Sequence, residues 1–120
     1  ILAQRLVRKL DDSSKQAYTP LPEAVDELEL RKYTDNDDIQ LYRAVPTEVN
    51  PNGYRGRLAI LEFMVMSDPI RRLVMRRADA GELQELARSE GMRTMYEDGL
   101  MKCLAGETTP EEVLRVTQES

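Results

Sequence analysis

The longest apolar run in the chain starts at Leu58-Ala59-Ile60-Leu61 and continues through Phe63 to Met66, directly after Gly53-Tyr54-Arg55-Gly56-Arg57. It is rich in Leu, Ile, Phe and Val and too short to span a membrane, so it predicts a buried strand over 57–66. Two glycines flanking an arginine predict a tight, basic turn ahead of it, because glycine takes positive φ without steric cost. At the start of the chain, Ile1, Ala3 and Val7 stand apart from Gln4, Arg5 and Arg8, which predicts a strand with a basic end over 1–10. A strand must pair its backbone groups, and 57–66 is its natural partner because no other long apolar run exists.

The residues between these strands read as a small excursion. Residues 11–18 are polar and predict a loop. Pro22 suits the first turn of a short helix over 22–30, with Leu21, Val25 and Leu28 on one face. An acidic loop covers 31–38. Ile39, Leu41, Tyr42 and Val45 predict a second small strand, and Pro46 to Asn52 a turn-rich connector.

Beyond Met66 the apolar spacing becomes helical. Ser67-Asp68-Pro69 opens a helix to about Arg77 that buries Ile70, Leu73 and Val74 and shows Arg71, Arg72, Arg76 and Arg77. Asp79 with Glu82, Thr94 with Glu97, and Thr109 with Glu112 are three successive capping-box patterns. The helices that follow them carry the stripes Leu83, Leu86, Ala87; Met95, Leu100, Cys103, Leu104; and Val113, Leu114, Val116. Gly91 and Gly106 stop the first two. The predicted class is α+β: short strands, a small inserted module and a C-terminal bundle of about four helices.

Composition narrows the chemistry. A length of 120 residues allows one small domain or parts of two. The apolar share of 41% and charged share of 32% suit a helical protein with wet surfaces. A net charge of −5 argues against nucleic acid as the main partner. There is no histidine, which removes His-based acid–base catalysis and every His-containing metal site. The single cysteine, Cys103, has no internal disulfide partner and reads as a small buried hydrophobe. With no signal peptide, lipidation motif or apolar span, a cytoplasmic location is expected. Ile1 opens in mid-strand without an initiator Met, so a piece of a longer chain is expected.

Few residues suggest a site. Arg55 and Arg57 suit bidentate oxyanion contacts, but on the residues alone a solvated turn beside a strand is the better reading. The arginines at 71, 72, 76 and 77 fall on the outer face of a helix, which reads as a solvated face rather than a nucleic-acid or lipid surface. Asp35-Asn36-Asp37-Asp38 lacks the glycine and distal glutamate of a calcium loop. No phosphate-binding loop of the form G-x-x-x-x-G-K-[ST] occurs, so no catalytic residue is assigned.

Several blocks together resemble a known family. Ala3-Gln4-Arg5-Leu6-Val7-Arg8-Lys9-Leu10, then Gly53-Tyr54-Arg55-Gly56-Arg57 with its strand, then Glu97-Asp98-Gly99-Leu100, then Ala105-Gly106-Glu107-Thr108-Thr109-Pro110-Glu111-Glu112-Val113-Leu114-Arg115-Val116-Thr117 look like the C-terminal third of a bacterial secretion traffic ATPase. The type II secretion branch fits best, with the type IV pilus assembly ATPases as near relatives. The resemblance implies that 1–10 and 55–66 are the last strands of a RecA-like ATPase domain. It makes 11–54 the family's small inserted module and 67–120 its C-terminal helical subdomain. The parent would be a cytoplasmic hexamer, peripheral to the inner membrane through a membrane-protein partner of the secretion platform. It would use ATP and Mg to drive pseudopilus assembly. Arg57, and less surely Arg55, would face a neighbouring subunit's nucleotide.

The sequence departs from that family at one point. The four zinc-binding cysteine positions of the inserted module fall on Asp11, Ser14, Pro46 and Val49. Pro and Val cannot ligate zinc, so no metal is expected. Packing of Leu21, Val25, Leu28, Ile39, Leu41 and Val45 must hold the module instead, and it is expected to be the most mobile region. An exposed edge on the 57–66 strand predicts self-association or poor solubility of the isolated piece. From a different class, a free-standing helical adaptor that binds another protein without ATP chemistry stays open.

Overall fold

The computed structural model describes residues 2–118. The strand assignment of Ile1 and the last two residues of the helical subdomain lie outside the described residues. The described residues form two small antiparallel sheets and five α-helices.

β1 (Leu2–Leu10) and β4 (Tyr54–Phe63) form the central ribbon. Leu2 stands opposite Phe63, Leu6 opposite Ala59 and Arg8 opposite Arg57. The pairing predicted for 1–10 and 57–66 is present, but β4 begins three residues earlier and ends at Phe63 rather than Met66. The predicted tight turn at 53–56 is corrected. Tyr54 to Arg57 is strand, and one extra residue enters β4 between the pairs Arg8–Arg57 and Leu10–Tyr54. Gly56, at φ +80°, sits within this bulge. A bulge and a turn both ask for positive φ, so the same Gly signal serves either. Gly53 has a second constraint: a Cβ there would lie 2.8 Å from the Val45 nitrogen.

Opposed residues in an antiparallel pair share a face, so the ribbon sorts its side chains. Val7, Leu58 and Ile60 turn to the core. Leu2, Leu6, Leu61 and Phe63 form the other face and stay exposed, Leu2 at 59% and Phe63 at 57%.

Within the excursion, β2 (Gln16–Tyr18) pairs with β3 (Leu41–Arg43), Ala17 opposite Tyr42. Residues 16–18 were expected in a loop. Three residues of mixed polarity carry no periodic signal, and the pairing comes from a partner more than twenty residues away. α1 (Pro22–Glu27) starts at the predicted proline and is followed by a 3-10 turn, Leu30–Lys32. Leu21 is the cap residue outside the helix and is 71% exposed, so it is not part of the buried stripe. Leu30 takes that role and is fully buried. Val25, Leu30, Ile39 and Leu41 join Val7, Ile60, Cys103 and Val113 in one core. The excursion therefore shares its interior with the ribbon and the C-terminal helices.

Four helices follow: α2 (Asp68–Met75), α3 (Ala80–Ser89), α4 (Met95–Leu104) and α5 (Pro110–Thr117). Their starts were legible, since Ser67, Asp79, Thr94 and Thr109 each accept a backbone N–H three residues on. Only Thr94 with Glu97 closes a reciprocal box; the Asp79 and Thr109 patterns form the first half alone. α2 packs on α3, and α4 packs on both α5 and β4. Ile70 is buried, whereas Val74, expected to be buried with it, is exposed because α2 shows the core only a narrow face. At the α4–α5 crossing, a Cβ on Gly99 would lie 2.6 Å from Val113 Cγ1, so glycine sets how closely the helices approach. No helix among the described residues is long and apolar enough to cross a membrane.

Candidate functional site

The site is built where the bulged end of the ribbon meets α5. The bulge brings Tyr54 opposite Leu10, and the Arg8 guanidinium lies over the Tyr54 ring, 4.3 Å from its centroid. The Tyr54 hydroxyl shares a hydrogen bond with Thr109 Oγ1 at 3.0 Å. Glu112, buried in the first turn of α5, receives the Arg8 backbone N–H on Oε1 at 2.7 Å and the Arg8 guanidinium on Oε2 at 3.0 Å. Arg115 donates to the same carboxylate from Nε at 3.1 Å and Nη2 at 3.0 Å. Burial opposes ionisation of Glu112, but the hydrogen bonds from Arg115 and Arg8 outweigh it and hold its carboxyl down at about 2. Thr108 Oγ1 donates to the Arg8 carbonyl and the Leu10 N–H donates to the Glu107 carbonyl, both at 2.9 Å. This end of β1 is thus sealed by the loop into α5.

Arg57 is opposite Arg8 but in a different state. Arg8 is held by Glu112 and Tyr54. Arg57 is exposed, and its guanidinium has no ion pair or hydrogen bond among the described residues. Two guanidiniums face each other across the ribbon and only one is neutralised, so the second is available to an anion. Arg55, on the far side of the bulge, has other surroundings: it lines a depression with Asp11, Ser13, Thr47 and Asn50. The two candidate arginines therefore serve different surfaces.

That depression lies where the resemblance locates a metal module. Asp11 accepts from the Ser13 hydroxyl at 2.6 Å, from the Ser13 N–H at 3.0 Å and from Asn50 Nδ2 at 2.9 Å. The hydrogen bonds from Ser13 and Asn50 bring its pKa down to about 2. Asn50 Nδ2 also donates to the Tyr54 carbonyl at 2.8 Å, and the Asn50 carbonyl accepts the Thr47 N–H at 2.9 Å. A carboxylate–amide clasp thereby joins the 11–14 and 47–50 loops. Of the other aligned positions, Val49 is almost wholly exposed and Pro46 offers no donor atom to a metal. Among the described residues, no group of three His, Cys, Asp or Glu side chains gathers around one point.

α4 anchors the other end of the ribbon. Asp98 Oδ2 accepts the Leu61 backbone N–H at 2.8 Å and pairs with Lys102 at 2.7 Å, so α4 covers part of the β4 edge. Glu97 pairs with Lys32 at 3.0 Å and ties the 3-10 turn to the start of α4. Burial opposes its ionisation, yet the Thr94 cap and Lys32 keep its pKa down at about 2. The roles of Glu112, Asp98 and Asn50 were missed in the sequence. Glu112 read there as the acid of a capping box, Asp98 only as part of a block of the family resemblance, and Asn50 as part of a turn-rich connector.

The comparisons with known proteins agree with this construction. The family described as type II/IV secretion system protein matches residues 1–115. Type II secretion system protein E of Xanthomonas campestris pv. campestris is 56% identical over 120 residues, which is 100% of this chain and 21% of that protein. Type II secretion system ATPase E of Vibrio cholerae is 37% identical over 124 residues, covering 100% of this chain and 23% of that protein. Type IV pilus assembly ATPase PilB of Thermus thermophilus is 41% identical over 120 residues, covering 99% of this chain and 13% of that protein. The chain thus spans about a fifth of the length of the type II relatives it matches. With the ribbon, the bulge and the helical cap carried throughout the matched stretch, this chain belongs to the type II/IV secretion system protein family.

Proposed function

We propose that this chain is the C-terminal part of the ATPase that powers type II protein secretion through pseudopilus assembly. The observation that carries it is the outer face of the ribbon. Leu2, Leu6, Leu61 and Phe63 are exposed side by side on a two-stranded sheet, in a chain about a fifth as long as its relatives. Two strands with an uncovered apolar face suit the end of a larger sheet, with β1 and β4 as the last strands of a RecA-like domain. The excursion is then its inserted module and α2 to α5 its helical subdomain.

On this reading the piece holds no nucleotide loop and is not catalytic alone. ATP and Mg bind elsewhere in the parent, which acts as a hexamer on the cytoplasmic side of the inner membrane against a platform protein. Arg57 supplies a cation to the phosphates of a neighbouring subunit's nucleotide; its unpaired guanidinium suits that role. Arg55 is the weaker candidate, since it lies beside the Asp11 carboxylate. The test is ATP hydrolysis by the full-length gene product. Arg57→Ala is expected to lower kcat by about tenfold or more while sedimentation still shows a hexamer. Unchanged hydrolysis in that hexamer removes Arg57 from the mechanism, and a full-length product with no ATPase activity overturns the whole reading.

The 41% identity to a type IV pilus assembly ATPase supports a second reading, a pilus motor. The 56% identity to a type II protein favours secretion. Deleting the gene separates them: loss of exported enzymes supports the first and loss of pili the second.

A further inference from the structure

The loop that leads into β4 carries the dipeptide Asn52-Gly53. An asparagine is labile where the backbone nitrogen of the next residue can reach its side-chain carbonyl carbon, because the attack is intramolecular. The chain has three asparagines, at 36, 50 and 52, and the residue after each decides whether that attack is open. Pro51 follows Asn50 and has no N–H. Asp37 follows Asn36 and brings a β-carbon and a negative charge beside the nitrogen. Gly53 follows Asn52 and brings neither. In other respects Asn36 and Asn52 match. Both are exposed, and each accepts on Oδ1 the N–H two residues on, from Asp38 at 3.0 Å and from Tyr54 at 2.9 Å. That bond closes a ring containing both Cγ and the attacking nitrogen. It also aims an N–H at the oxygen on which negative charge develops during attack. Asp98-Gly99, the acidic counterpart of the dipeptide, is shut off: Asp98 is buried in α4, and Leu61 N–H and Lys102 hold its carboxylate.

We infer that Asn52-Gly53 is a site of spontaneous covalent modification in the folded protein, and that the Asp11–Asn50 clasp sets its rate. The Gly53 nitrogen forms a bond to Cγ of Asn52. The C–N bond of the side-chain amide breaks, and ammonia leaves with the Gly53 amide proton. Water then opens the cyclic imide. Attack at Cγ gives aspartate in an unchanged main chain. Attack at the main-chain carbonyl carbon gives isoaspartate, whose main chain runs through Cβ and Cγ. The sum consumes one water and releases one ammonia, with no oxidation or reduction.

Gly53 is held on both sides. Its N–H donates to the Asn50 carbonyl at 3.2 Å, and its carbonyl accepts the Asp11 N–H at 3.1 Å. Asn50 is itself tied to Asp11 Oδ2 through Nδ2 at 2.9 Å. The nitrogen is free to attack only when these bonds open, so the clasp is the gate. The two products differ in consequence. Aspartate keeps Oδ1 as the acceptor for the Tyr54 N–H. Isoaspartate lengthens the main chain beside Gly53, at a seat where even an added Cβ would lie 2.8 Å from the Val45 nitrogen. It therefore unseats Gly53 and loosens the join between the excursion and β4.

The test is ageing of the full-length gene product in warm neutral buffer, followed by tryptic peptide mass and by methylation with an isoaspartyl methyltransferase. The peptide Ala44–Arg55 carries Asn50 and Asn52, which fragmentation separates, and Tyr33–Arg43 carries Asn36. The expected result is the mass gain of an amide becoming an acid, with methyl incorporation, at Asn52 and several-fold ahead of Asn36. Asp11→Ala should speed the Asn52 reaction several-fold. It should leave the Asn36 rate unchanged, which controls for general unfolding. Asn52→Asp should melt with the parent protein, and the aged isoaspartate fraction below it. Absence of both signals at Asn52, or an Asn36 that reacts as fast, overturns the inference. An Asn52 rate indifferent to Asp11→Ala overturns it as well.

Discussion

The backbone nitrogen of Arg8 lies 2.7 Å from Oε1 of Glu112, a contact across 104 residues. It decides what the Thr109–Glu112 pattern becomes. A glutamate at that position ordinarily reaches back to the cap's own N–H. Here its two oxygens are committed to β1 and Arg115, and only the Thr109 half of the box forms. The same carboxylate pairs with Arg8 and leaves Arg57, across the ribbon, as a cation without a partner among the described residues.

Glu112→Ala removes the acceptor from a backbone N–H and two guanidiniums together. A buried donor left unsatisfied costs about 1–3 kcal/mol, so urea unfolding should show a loss in that range. Glu112→Gln keeps one acceptor oxygen and should lose less. Equal losses for both variants contradict this account.

Acid should destabilise the fold through a defined set of groups. Glu112, Glu97 and Asp11 all have folded pKa values near 2, below their ordinary values of 4.5, 4.5 and 3.8. Between those limits the unfolded chain binds more protons than the folded one, so stability rises with pH there. The contribution is complete above the ordinary carboxylate range and is lost as pH falls from about 5 toward 2. There is no histidine, and burial pushes the Cys103 thiol up to about 12, so stability should be level from about pH 6 to 9. Thermal melts across pH check both limbs, and a transition near pH 7 contradicts the assignment.

Gly99→Ala tests the α4–α5 crossing. Alanine gains helix propensity of about 1 kcal/mol, but its Cβ would sit 2.6 Å from Val113 Cγ1. Overpacking costs about 1–3 kcal/mol, so a net loss is expected. Adding Val113→Ala makes room, and the Gly99→Ala change should then be neutral or stabilising. If Gly99→Ala stabilises the unaltered background, the helices approach less closely than described.

The Asp11–Asn50 clasp predicts strong coupling. Asp11→Ala and Asn50→Ala each break the same link, so the double variant should melt close to either single one rather than at the sum. If the Asp11–Asn50 link joins these loops without a metal, treatment with a chelator should leave the melting temperature unchanged. Additive losses, or a chelator-sensitive melt, count against the clasp.

Local signals were enough for much of this fold. The four C-terminal helices announce themselves through Ser67, Asp79, Thr94 and Thr109, because a cap bonds to residues three positions away and needs nothing else. The pairing of 1–10 with the strand after Gly56 followed from there being no rival apolar run. Matters that depend on distant neighbours were not legible. Gly56 could open a turn or a bulge until β1 set the register. Residues 16–18 became a strand only because 41–43 lay beside them, and Leu21 and Leu30 exchanged roles according to where α1 began. Glu112 read as the second half of a capping box until Arg8 was brought against it. Periodicity and caps are written within a turn or two of the backbone, whereas the partner of a buried charge is chosen by the packing that excludes water from it.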